Sequence, residues 1–205
     1  MRRDIQTGIG LAVVVAGMSP LFVLPRNEFA LSTIVATSCM TAVALTSGGY
    51  RKLFAPKSRT IAVGLVSAGL LYLLFFLGNW AIVTLRPLGI EASAENSIYG
   101  LIASPGNTLS LQVVVLAFDS LGFESYFRGT LQTRVGPRLG IGAPFVVAAA
   151  DALVHVASLN PLWVITTFIA DSVWGLTYYR TRDLTASMTS HFLWDLAIFV
   201  ILPIR

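Results

Sequence analysis

The chain has 205 residues, 55% of them apolar and only 12% charged, with a formal net charge of +4 and a mean hydropathy of +0.75. A soluble domain carries roughly twice that charge fraction, so the composition excludes an ordinary water-soluble protein. The basic excess does not describe a nucleic-acid face either, because Lys and Arg stand at the ends of apolar blocks, where topology signals lie.

Short basic or Gly/Pro-rich breaks separate these blocks, and several blocks approach the roughly 20 residues that cross a bilayer. The pattern predicts an all-α, polytopic transmembrane helix bundle of about seven spans: 8–24, 29–47, 60–84, 109–133, 141–157, 161–180 and 184–203. The first block, in "MRRDIQTGIGLAVVVAGMSPLFVLP", has the outline of a signal peptide. Because further spans follow at once, it reads as a retained helix that also directs insertion. The second block holds Cys39, the only cysteine, so no internal disulfide can form. After the third comes a long break, "RPLGIEASAENSIYGLIASPGN", with the length of a helix lying on the membrane surface. Residues 1–108 therefore read as N-terminal scaffold spans and residues 109–205 as a helical core.

Orientation follows from the positive charges. With the N-terminus in the cytoplasm, every Lys and Arg except Arg26, Arg86 and Arg205 falls at or near the cytoplasmic face, Arg128 and Arg134 included. The expectation is a multi-pass protein of an inner or plasma membrane, with the lipid bilayer as its first partner and no nucleic acid.

Within the predicted spans lie Asp119, Glu124, Asp151, Asp171 and Asp195, together with both histidines, His155 and His191. An ionisable residue near the bilayer centre costs about 2.5–3.5 kcal/mol on insertion scales, so each needs a reason. All seven fall in the last four spans. Glu124 and Arg128 are four residues apart, as are Asp151 and His155, and His191 and Asp195, so each pair shares a helix face. Each pair could simply satisfy itself, or the three stripes could face inward and line one charged pocket. The helical rise places His191, Glu124 and His155 at depths of about 12, 15 and 18 Å from one face, close enough to meet.

A carboxylate with two imidazoles in a shielded cavity suits hydrolysis. The carboxylate acts as general base, one His orients the water, and the other supplies hydrogen bonds to the oxyanion. The same residues could hold a metal as a two-His, one-carboxylate set. Other protease chemistries fit less well. No H-E-x-x-H is present, "GMSP" at 17–20 lies in the wrong half for a serine nucleophile, and Asp151 and Asp171 lack the glycine setting of presenilin-like aspartyl sites.

Three short motifs carry a family resemblance: "FESYFRG" at 123–129, "DALVH" ending at His155, and "HFLWD" from His191 to Asp195. In this order and spacing the segment resembles the CAAX protease and bacteriocin-processing (CPBP) family of intramembrane endopeptidases. The resemblance implies a glutamic-type intramembrane peptidase that cuts a membrane-anchored protein or peptide without a bound cofactor or metal. It implies that Glu124 and His155 activate water, that His191 and Asp195 form the oxyanion site, and that Arg128 holds Glu124. Phe123 stands where the first Glu of the family's Glu-Glu pair belongs, and that leading Glu is the favoured water activator. A second reading therefore stays open, a catalytically silent relative serving as a membrane scaffold, immunity or chaperone-like protein. Asp151 also departs from the pattern, standing where the family has Phe; it either orients His155 or bonds a neighbouring helix.

Overall fold

The computed structural model describes Val14 and residues 28–46, 53–85, 99–100 and 108–204. Helix α1 covers Phe29–Thr46 and α2 covers Ser58–Leu85. Helix α3, Leu109–Phe123, passes without a break into a π-helical segment, Glu124–Gln132, and then into α4, Thr133–Leu139. After the 3-10 turn Gly140–Gly142 come α5, Ala143–Val154, and a second 3-10 turn, His155–Ser158. Helix α6 is Pro161–Thr181, and α7 is Leu184–Leu196, ending in a π-helical turn at Ala197–Ile201. No strand occurs among the described residues.

Among the described residues, several of the breaks read from sequence hold helix caps or turns. Thr108 Oγ1 accepts from the Leu111 amide at 3.3 Å to start α3. Gly140, at φ 54°, turns the chain so that α5 returns along the π-helical segment. In "SLNP", Leu159 is left-handed at φ 53°, and Asn160 Oδ1 accepts from the amides of Leu162 and Trp163 at 3.1 and 3.3 Å. Pro161 follows as the first residue of α6, where its missing N–H has no helical partner to lose. In "RTRD", Asp183 Oδ1 caps α7 by accepting from the Thr185 amide at 2.9 Å.

Helix α1 packs on α3, α5 on α6, and α7 lies against α2, α3 and α6. Small residues set the closest approaches, as expected where lipid supplies no hydrophobic drive between helices. A Cβ at Gly64 on α2 would stand 2.7 Å from the carbonyl of Ala186 on α7. One at Gly122 on α3 would stand 2.5 Å from Thr37 Cβ on α1. Three apolar clusters result among the described residues, the smallest formed by Tyr178, Leu184 and Met188. Of the two larger ones, one gathers Met40, Phe123, Tyr126, Phe127 and Val147; the other gathers Leu71, Trp174, Trp194 and Ile198. On α2, Leu65, Val66, Leu70, Leu73, Leu77 and Trp80 are exposed, a surface suited to acyl chains.

Among the described residues four helical stretches are long and apolar enough to cross a membrane: Phe29–Thr46, Ser58–Ala81, Leu109–Ser158 and Leu184–Ile201. Two of the expected spans, 109–133 and 141–157, are thus the arms of one run bent at Gly140. The expected span at 161–180 forms α6, which is not one of the four. The first expected span, 8–24, lies outside the described residues apart from Val14, as does the 86–107 break apart from Tyr99 and Gly100. Tyr99 donates through its hydroxyl to the Ile204 carbonyl at 2.8 Å.

Candidate active site

A cavity of about 340 Å³ opens between the two larger clusters. Its polar end is lined by Asp119, Asp151, His155, Asp171, His191 and Asp195, and the rest of its wall is mostly apolar. Both histidines therefore face one space, although His155 comes from the end of α5 and His191 from α7.

His191 is fixed on three sides. Its Nδ1 lies 3.0 Å from Glu124 Oε1, and because a carboxylate oxygen accepts, Nδ1 donates. Trp174 of α6 lies flat on the ring, with centroids 3.6 Å apart and planes at 13°. The other nitrogen, Nε2, is 3.3 Å from Asp195 Oδ2, one turn further along α7, and 3.6 Å from Asp119 Oδ2 on α3. Both distances exceed the roughly 2.7–2.9 Å of a charge-assisted hydrogen bond.

His155 stands where α5 tightens into its last 3-10 turn, and its Nδ1 lies 3.1 Å from the Asp151 carbonyl. A carbonyl only accepts, so Nδ1 carries the hydrogen there. The Asp151 carboxylate is more distant, at 3.6 Å. The predicted Asp151–His155 contact thus exists, but the backbone makes its hydrogen bond.

Glu124 and Arg128 lie outside the cavity, and both are fully buried. Arg128 Nη2 donates to both the carbonyl and Oδ1 of Asp171, at 2.8 and 2.5 Å, and Arg128 Nε stands 3.5 Å from Glu124 Oε2. The guanidinium also lies 5.9 Å from the Trp174 ring centroid, on the side of Glu124 and Asp171. Arg128 had been counted with the cytoplasmic-side charges. Its complete burial between two carboxylates gives it a structural reason to stand there, separate from any topology signal.

Phe123 lines the cavity, with its ring centroid 6.3 Å from those of both His155 and His191. It also stacks on Phe127 at 5.6 Å and 20°. Successive residues of a helix point about 100° apart. At the change from α to π geometry, Phe123 is the last α residue and faces the imidazoles, while Glu124 opens the wider segment and points behind them. π-helical insertions of this kind recur at functional sites.

Of the residues singled out from sequence, Glu124, Arg128, His191 and Asp195 form one connected set, and His155 joins them across the cavity beyond Phe123. Glu124 bonds His191, a contact the sequence does not suggest, since the resemblance links Glu124 with His155 only in activating water. Two participants carried too little signal to be chosen. Asp119 lies four residues before Phe123, hence on the same face of α3, and that spacing was the available clue. Trp174 is one of several aromatic residues in an apolar helix, and nothing local marks it.

The ligand atoms of Asp119, His191 and Asp195 lie within 4.8 Å of one another, and among the described residues this trio could hold a cation. Two carboxylates with one imidazole form a donor set that suits a first-row divalent metal. The set drawn from sequence, Glu124 with both histidines, differs from it, because Glu124 Oε1 and His191 Nδ1 are bonded to each other.

Residues 105–197 match the family model described as type II CAAX prenyl endopeptidase Rce1-like. No curated protein and no solved structure matches the chain. The matched stretch contains all three motifs, from Phe123 to Asp195, the bend at Gly140 and the polar end of the cavity. Over residues 105–197 the chain is thus similar to a family of type II CAAX prenyl endopeptidases, in line with the CPBP resemblance carried by its three motifs.

Proposed function

We propose that the protein is an intramembrane endopeptidase that hydrolyses a peptide bond in a membrane-anchored protein or peptide, using water bound at the polar end of the cavity. The observation that carries this reading is the convergence of His155 and His191, from separate helices, on one largely apolar cavity beside the carboxylates of Asp119 and Asp195. An apolar wall excludes bulk water and strengthens every dipole aimed at the reacting carbonyl.

In this reading His191 Nε2 carries a hydrogen toward the cavity and donates to the oxyanion. Glu124 holds Nδ1 from behind and Trp174 fixes the ring plane. Glu124 then acts through His191 and does not meet the water itself, since it is sealed from the cavity. His155, with Nδ1 committed to the Asp151 carbonyl, presents its other edge to the substrate side. Asp195 completes the oxyanion corner, and Arg128 neutralises Glu124. Residues 1–108 serve as scaffold, although Thr33, Leu74 and Phe75 also reach the cavity wall.

The silent alternative keeps the same fold, and activity separates the two. Purified protein in liposomes is expected to cleave a membrane-anchored reporter peptide. His191→Ala and His155→Ala are each expected to lower the rate by about 100-fold or more while remaining folded. Unchanged cleavage in both variants would remove the hydrolase reading.

A further inference from the structure

We propose that Asp119 is the carboxylate that takes the proton from the attacking water, beside the place that Phe123 fills. This rests on the peptidase reading above. A general base must come within about 2.6–3.2 Å of its proton donor, or reach it through one water, so it must face the cavity and be reachable by solvent. Among the acidic residues of the site, Glu124, Asp151, Asp171 and Asp195 have side chains at 0%, 2%, 1% and 5% exposure. Glu124 is committed to His191 and Asp171 to Arg128. Asp195 sits one turn from His191 on the same helix and closest to its Nε2. Asp119 lines the cavity as Asp151, Asp171 and Asp195 do, but it differs from them in exposure and approach: its side chain keeps 24% exposure, and it reaches His191 from another helix at 3.6 Å.

Its place on α3 explains the reach. Asp119 and Phe123 are one turn apart on the face that α3 turns to the imidazoles, so the carboxylate enters the cavity next to the phenyl ring. A water hydrogen-bonded to Asp119 Oδ2 lies beside the Nε2–H that receives the substrate carbonyl oxygen. Its proton passes to Oδ2 while its oxygen bonds to the carbonyl carbon, and the carbonyl π pair moves onto the oxygen that His191 holds. Collapse re-forms the C=O bond and breaks the C–N bond. The leaving amine takes the proton back from Asp119, giving one carboxylic acid and one amine per water consumed.

The test uses the full chain in liposomes with a membrane-anchored reporter peptide, reading kcat and KM separately. Asp119→Asn is expected to lower kcat by about 100-fold or more with KM little changed, and Asp119→Glu to keep part of the rate. Adding Phe123→Glu to Asp119→Asn is expected to restore cleavage, because it sets a carboxylate between the two imidazoles. Thermal unfolding of each variant separates lost chemistry from lost fold. Three results overturn the proposal: Asp119→Asn within twofold of wild type; cleavage abolished by a chelator and restored by a divalent cation, which makes Asp119 a ligand; or an inert wild type alongside an active Phe123→Glu. If wild type and Phe123→Glu are both inert, the peptidase reading itself fails and takes the proposal with it.

Discussion

Arg128 decides how the buried charges of this protein are held. It is wholly buried between Glu124 on its own segment and Asp171 on α6. Taking ions out of water is expensive, and removing one partner of a buried set leaves the others uncompensated, at about 3–5 kcal/mol. Arg128→Met is therefore expected to destabilise by that amount, lowering the thermal midpoint of the purified protein. Arg128→Met combined with Asp171→Leu should cost less than the sum of the two single changes, since the second removes a carboxylate that the first orphaned. Strictly additive losses would show that the pair is not coupled. The sequence revealed only half of this arrangement. The i, i+4 spacing exposed Glu124–Arg128, which turns out to be the longer contact at 3.5 Å. The direct hydrogen bonds go to Asp171, 43 residues away on another helix, and no local spacing encodes that.

At the scale of the element, the deciding feature is the passage of α3 into π geometry at Glu124. Apolar blocks and i, i+4 spacing located the helix and its polar stripe, and the breaks "SLNP" and "RTRD" were legible as breaks, where Asn160 and Asp183 turn out to cap the next helices. The wider turn was not legible, because an i→i+5 backbone has no periodic signature over nine residues. Its threonines brace it: Thr130 and Thr133 Oγ1 donate to carbonyls five residues back, at 3.4 and 2.9 Å, and Thr133 also meets the Tyr178 hydroxyl at 2.8 Å. The segment's position depends on Gly122, which lets α3 touch α1. A Cβ there would meet the Thr37 carbonyl and Cα at 2.6 and 2.7 Å as well as its side chain, so trimming Thr37 gives no relief. Gly122→Ala is expected to destabilise by about 1–3 kcal/mol and to lower activity by displacing Phe123 and Glu124 together. Gly136→Ala on α4, with nothing within 4 Å of the new Cβ, is the control and should leave both properties unchanged. Equal effects from the two changes would show that the α1–α3 contact does not position the site.

Across the whole molecule, the cavity joins the buried polar cluster to the apolar flank of the bundle. Its wall includes Leu74 on α2 and Ile165 on α6, which remain 50% and 54% exposed. Side chains that both line a cavity and face outward mark its mouth, and this mouth lies among surfaces suited to lipid. On the peptidase reading, a substrate carried in the membrane would approach between α2 and α6 without first crossing water. Gly78 on α2 lines the same cavity and has nothing within 4 Å of where a Cβ would stand. A larger side chain there fills space without displacing protein atoms. Gly78→Phe is expected to leave the thermal midpoint unchanged, since it creates neither a void nor a clash. It should lower kcat/KM for a membrane-anchored reporter by about tenfold, equivalent to about 1.4 kcal/mol of transition-state binding. A short water-soluble peptide carrying the same scissile bond should be affected less if the obstruction lies on the lipid-side route. Equal losses for the two substrates would place the block at the reacting centre, and no loss for either would mean that substrates reach His191 by another path.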